Sequence, residues 1–265
     1  MAVRKAAVAA LLICLCAIPQ LQAAAQDPVD ALAGAIGGAV QAIAWGLVDI
    51  WMGIRVELAV DAGNPNTRGF VLSRVKPEHE GEYSIAQICD VWDYCVQTWH
   101  YFSDPVLDDF APASDTIAMG LRGDCDDFAA LIAAAVRGLG GTAMVRVEHT
   151  STDGHAYTLV YIGTDISDVA GNILYLMARY GVPFSTVRQG GLGLLLDSEA
   201  GVWLNLDWSA NHPGGPLWAP PAALVDSHFY TTPSVLWVKP ILQAPGYWQI
   251  GTEFSLQQLQ ALVKE

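Results

Sequence analysis

Gly123-Asp124-Cys125-Asp126-Asp127-Phe128, followed without a break by AALIAAAVRGLGG over residues 129–141, decides how this sequence folds. The run is apolar on nearly every side of a helix and is stopped by Gly140-Gly141, so it predicts a buried central helix. Cys125 sits at its start. The unpaired N–H groups of a first turn and the positive end of the helix dipole favour a thiolate over a thiol, which makes this cysteine a candidate nucleophile. Asp124, Asp126 and Asp127 oppose that, because neighbouring negative charge raises a thiol pKa. They are expected to point away and cap the helix, or else to be neutralised by a cation.

Downstream, the period changes from helical to two. Met144 to His149 alternates, Ser151-Thr152-Asp153-Gly154 turns, and His155 to Ile162 alternates again, which predicts a hairpin. Residues 163–200 break the rhythm, with a helix expected over Asn172 to Arg179. Arg188 to Leu196 carries Gly190, Gly191 and Gly193 without the spacing of a dinucleotide fingerprint. Gly201 to Trp208 is the next strand. A Pro- and aromatic-rich stretch follows, with a strand expected at Ser234 to Lys239 and an amphipathic helix at Ser255 to Lys264. Upstream, Ser84-Ile85-Ala86-Gln87 has the pattern of a capping box. Ile85, Ile88, Trp92, Cys95, Trp99 and Phe102 then recur at helical spacing, while Asn64 to Gly69 and Lys76 to Gly81 read as connectors. Ser114 to Leu121 is a short helix delivering the chain to Gly123.

Arg4 and Lys5 precede the apolar run Ala6 to Ile18, and Ala23-Ala24-Ala25 supplies a cleavage pattern. Residues 1–25 are therefore expected to be a secretory signal peptide, and the mature chain a secreted or periplasmic one cut near Ala25. Losing that segment takes the formal net charge of the 265 residues from −14 to −16, because it holds two basic residues and no acidic one. It also leaves Cys89, Cys95 and Cys125, an odd count with at least one free thiol. On one helix, Cys89 and Cys95 lie about 9 Å apart along the axis, too far for an unstrained disulfide. The acidic balance argues against nucleic acid as partner, since phosphate contacts need Lys and Arg. The uncharged stretch 31–48 would reach about 27 Å as a helix, just short of a span, and offers a membrane contact only as the lesser alternative to packing on the domain.

His155 opens a strand after a turn, and Asp207 shares a strand face with Trp203 and Asn205. If those two strands are antiparallel neighbours, Asp207 can accept an imidazole N–H while the other ring nitrogen addresses Cys125, the nucleophile, base and orienter of thiol catalysis. No two histidines stand at metal-ligand spacing, which argues against zinc.

LRGDCDDFAALIAAAVRGLGG (121–141), GHAYTLVYI (154–162) and WLNLDWS (203–209) resemble, in order and context, the three blocks of the transglutaminase-like superfamily of papain-fold cysteine enzymes, and YFSDP…FAPASDTIAMG resembles the approach to its nucleophile. The resemblance covers about residues 84–210. It implies an α+β, papain-like transglutaminase-core fold in which a central helix packs on an antiparallel sheet, with Cys125 as nucleophile, His155 as base and Asp207 as orienter. It also makes Asp124 and Asp126 candidates for calcium, the one cofactor considered. Two departures stand out: the insertion 163–200, read as a lid or an edge decoration, and the unassigned oxyanion donor, for which Gln97 and Trp99 are candidates.

The expected organisation is a leader over 1–25, an apolar helix and connector over 26–82, a catalytic domain over 83–250 and a terminal helix over 251–265. The expected activity is a cysteine enzyme acting on amide bonds of a protein or peptide, hydrolysing them in preference to transamidation because no lysine-binding tunnel is legible. The competing expectation is a non-catalytic module binding peptide or cell-wall material through Trp203, Trp208 and Trp218. Oligomeric state is left open.

Overall fold

The computed structural model describes residues 50–103, 110–183, 194–197, 201–219, 223–231 and 256–263. The leader, the 31–48 stretch, the acidic residues Asp104, Asp108 and Asp109 and the strand expected at 234–239 lie outside these. Among the described residues, no helix is long and apolar enough to cross a membrane.

In chain order the elements are α1 (Pro65–Leu72), a 3-10 turn (Pro77–His79), α2 (Ile85–Thr98), β1 (His100–Tyr101), α3 (Ala113–Ala118), β2 (Arg122–Gly123) and α4 (Cys125–Gly138). The second half holds β3 (Ala143–His149), β4 (Gly154–Gly163), α5 (Ile166–Tyr180), β5 (Leu194–Asp197), β6 (Gly201–Asn205), β7 (Asp226–Thr231) and α6 (Leu256–Leu262). Strands β5-β6-β4-β3-β7 form one sheet, antiparallel at every pairing, while β1 and β2 make a separate parallel pair. This is an α+β architecture with a central helix on an antiparallel sheet.

Helix α4 is the axis because its sequence leaves it no polar side: every residue from Phe128 to Val136 is buried. Its small residues let the sheet approach closely. Thr158, on the helix-facing side of β4 with Val160 opposite Leu204 of β6, donates its hydroxyl to the Ala129 carbonyl at 2.6 Å. Strand alternation puts Tyr157, Leu159, Met144, Trp203 and Phe229 on the other face, where they form a second apolar cluster with Tyr161, Leu217 and Trp218. Both faces of the sheet are therefore covered.

Several boundaries differ from the sequence reading. The compact unit begins at Arg55, well before residue 83. Asn64 to Gly69 is not a connector: Asn64 caps α1 by accepting from Asn66 N–H, and Pro65 takes the first helical position, where its missing N–H costs nothing. Helix α2 stops at Thr98, because Trp99 turns extended and the chain leaves to pair with β2, so Trp99 and Phe102 lie beyond it. Helix α5 starts six residues earlier than expected; Asp165 caps it by accepting from the N–H groups of Ser167 and Asp168. Leu194–Asp197, expected as glycine-rich loop, pairs with β6, and β7 is built from DSHFYT, where no strand was expected. Polar residues are tolerated there because each face of β7 meets a polar partner on β3, Asp226 bonding His149 on one face and Ser227 accepting from Arg146 on the other.

The insertion's helix α5 is fastened to α2. Arg179 Nη2 donates to Asp90 Oδ1 at 2.8 Å and to Asp93 Oδ2 at 2.7 Å, and the Tyr180 hydroxyl donates to Asp93 Oδ1 at 2.8 Å. Burial alone would raise the Asp90 carboxyl, but hydrogen bonds from His79, the Lys76 N–H and Arg179 outweigh it and hold the pKa low. This helix is packed into the fold, with Val169, Ala170, Ile173 and Leu176 fully buried, rather than hanging as a hinged flap.

Candidate active site

The start of α4 is set by its approach. In the β1–β2 pair His100 lies opposite Arg122 and Tyr101 opposite Gly123, and the Phe102 N–H donates to the Gly123 carbonyl at 2.8 Å. Gly123 has no room for a side chain: a Cβ there would lie 2.2 Å from Asp127 Oδ2 and 2.6 Å from Asp127 Cβ. Asp127 cannot easily give way, since its Oδ1 accepts from the Ala111 N–H at 2.8 Å. Cys125 emerges half-buried at the first position of the helix. Cys89 and Cys95 are free but buried, and burial pushes both thiols up to about 12, which leaves them inert near neutral pH.

On the sheet, His155 Nε2 and Asp207 Oδ2 lie 2.9 Å apart, with 7% of the imidazole and none of the carboxylate exposed. Asp207 stands two residues past the end of β6, and local bonds rather than the ladder hold it. Its N–H donates to Asn205 Oδ1 at 3.0 Å, its Oδ1 accepts from the Ser209 N–H at 2.9 Å, and Asn205 Nδ2 is tied to the carbonyls of Gly215 and Pro216. The backbone between them is pinned as well, with the Leu206 N–H on the Thr158 carbonyl and the Trp92 indole N–H on the Leu206 carbonyl at 3.0 Å. The imidazole ring lies 5.1 Å from the Trp218 ring and 5.8 Å from the Tyr157 ring. With Nε2 committed to Asp207, Nδ1 is the nitrogen left for another partner.

Helix and dyad come to the same end of the sheet. Tyr101, strand-paired with Gly123 two residues before Cys125, stacks on Trp208 at 5.6 Å, and Trp208 follows Asp207 directly. Burial, together with the charges at Asp124 and Cys125, raises the Tyr101 phenol. Trp208, expected as a ligand platform, instead joins the strand that leads to Cys125 with the loop that carries Asp207.

The acidic flank behaves otherwise than expected. Asp124 makes no capping bond to the first turn, and Asp124, Asp126 and Asp127 are all buried. Burial, and after it the hydrogen bond and charge of Asp124, pushes the Asp126 carboxyl up to about 9, so Asp126 keeps its proton at neutral pH. That removes one of the negative charges that would oppose a thiolate. Ligand atoms of Asp124, Cys125 and Asp126 lie within 4.8 Å of one another. Among the described residues this set offers two carboxyls and a soft sulfur, against the six to eight oxygens that calcium takes.

Of the two oxyanion-donor candidates, Gln97 is exposed, whereas Trp99 packs edge-on against Phe128 of α4 at 5.0 Å. The buried indole N–H of Trp99 has no hydrogen-bond partner among the described residues. Three further polar residues, Arg146, Glu148 and Tyr157, are fully or almost fully buried beside His155 and were not singled out from sequence. Their period-two spacing looks like any amphipathic strand, and only the register shows that they face the imidazole.

No protein-family model matches the chain, and no curated protein matches it. Among solved structures, a candidate cysteine protease from Cytophaga hutchinsonii is similar to it at 14% identity and a TM-score of 0.37, over 67% of this chain and 54% of that one. The chain thus spans about half the length of that protein, and a likeness so distant carries no residue's role across.

Proposed function

We propose that this protein is a cysteine enzyme that hydrolyses amide bonds of peptides or proteins through Cys125, His155 and Asp207, in a secreted or periplasmic setting. The observation that carries the reading is the buried 2.9 Å pair of His155 Nε2 and Asp207 Oδ2, at the end of the sheet that the half-buried Cys125 shares through the Tyr101–Trp208 stack. Asp207 fixes the tautomer and favours the imidazolium, and Nδ1 takes the thiol proton. The thiolate attacks the amide carbonyl carbon. Negative charge developing on the oxygen is met by the Cys125 backbone N–H at the positive end of α4 and by the Trp99 indole N–H. His155 then returns its proton to the departing amine as the C–N bond breaks. Water, deprotonated by the same imidazole, attacks the thioester and releases the acid.

The test is the rate of carbamidomethylation of Cys125 by iodoacetamide between pH 4 and 10, located by peptide mass. Cys89 and Cys95 serve as internal background because burial keeps them protonated. An apparent pKa clearly below the ordinary thiol value of about 8.5 is expected. A value at or above 8.5 would remove the nucleophile and leave a peptide-binding module.

A further inference from the structure

A second carboxylate stands behind the imidazole. In the β3–β4 register Glu148 lies directly opposite His155 and Arg146 opposite Tyr157, so all four side chains share one face of the sheet. Glu148 is wholly buried and Arg146 2% exposed. Arg146 Nη2 is ion-paired with Glu148 Oε1, its Nε donates to Ser227 Oγ at 3.1 Å, and its guanidinium lies over the Phe229 ring at 4.9 Å. Removing a carboxylate and a guanidinium from water is costly and contributes little net stability, so packing alone does not explain such a pair.

We propose that Glu148 is a positioning residue for His155: its carboxylate, held from behind by Arg146, faces the imidazole across the strand pair, favours the protonated ring, and backs the Tyr157 ring on which the imidazole lies. The proposal rests on reading His155 as the base. Burial raises the Glu148 carboxyl, while Arg146 first, then Tyr157 and His155, pull it back, as expected for a carboxylate sharing its field with the imidazole. The other titratable groups shown against His155 are Asp207 after β6, at 2.9 Å, and Tyr157 on its own strand. On β7 the same face presents Ser227 and Phe229, while Asp226 is turned to His149.

The experiment is a titration of the His155 ring by NMR, in the full chain labelled on histidine carbons and carrying Cys125→Ser so that the thiol does not titrate with it. A unit charge one cross-strand spacing away, at an effective dielectric of a few tens, should move the imidazole by about 0.5–1 pH unit, or roughly 3- to 10-fold in proton affinity. Glu148→Gln is expected to lower the midpoint by that amount; an unchanged midpoint in a folded variant overturns the proposal. If Glu148→Gln does not fold, Arg146→Gln/Glu148→Gln removes both charges at nearly constant shape. A shift of about half that size in the same direction is expected of it, and none overturns the proposal. Because the readout is the ring and not turnover, it can fail while the alkylation profile of Cys125 holds, and the reverse.

Discussion

Asp207→Asn tests the proposed orienter. The carboxylate is fully buried, accepts from Ser209 N–H through Oδ1, and bonds His155 Nε2 at 2.9 Å through Oδ2. An amide of the same shape can keep the Ser209 bond, but it then offers an N–H to Nε2. That turns the proton to Nδ1, where it blocks transfer from the thiol. A hydrogen bond to a charged partner is worth about 1.5–3 kcal/mol. At about 1.4 kcal/mol per decade, the thiolate–imidazolium population should fall by about 10- to 100-fold. Stopped-flow or quenched alkylation of Cys125 at pH 7 reads this directly, and the variant's rate should rise with pH along the curve of an ordinary thiol. A folded Asp207→Asn protein whose rate and profile match the parent would show that the 2.9 Å bond does not govern the sulfur.

Arg179→Met removes the fastening of α5 and leaves the buried Asp90 with His79, the Lys76 N–H and the more distant Lys76 ammonium at 3.6 Å; a cost of about 2–4 kcal/mol is expected, or a fall in Tm of about 5–15 °C, with no change in Cys125 alkylation. A drop below about 2 °C would mean that the cluster is ornamental. Thr158→Val deletes the bond to the Ala129 carbonyl while keeping the volume, and should cost about 0.5–1.5 kcal/mol in urea unfolding. Asp126→Asn addresses the proton held on that buried carboxyl. A carboxyl raised to about 9 in the folded state and ordinary in the unfolded one lends stability that is complete below the unfolded pKa and is lost as pH rises towards 9. The variant should therefore gain on the parent as the pH is taken from 5 to 8, and parallel stability curves over that range would contradict the raised Asp126 carboxyl.

Much of the architecture could be read directly because it is written in period. The all-round apolar run after Cys125 forced a central helix, and the change to alternation at Met144 and His155 forced the hairpin that carries the histidine. What escaped was written in single residues. Asn64-Pro65 and Asp165 open helices by capping, a signal one side chain wide that surrounding turn residues conceal. β7 and β5 are strands because β3 and β6 offer them partners, and Asp226 and Ser227 face polar groups that only the register reveals. The acidic flank was misjudged for another reason. Charge counted along the chain made three repelling carboxylates, whereas burial keeps Asp126 protonated. Glu148 and Arg146 could not be told from solvent-facing residues until the strand beside them was known.

His155 and Asp207 are 52 positions apart, and β6 reaches β4 only after the chain has gone out through α5 and β5 and come back. Contacts of that separation form late in folding, because the loop must close before anything rewards it. On the proposed function, a partly assembled chain would carry a cysteine of ordinary reactivity, and sulfur chemistry would begin only as the last strands dock. The protein would stay harmless to its neighbours until complete, and the alkylation rate of one thiol would then serve as a clock for the final stage of its maturation.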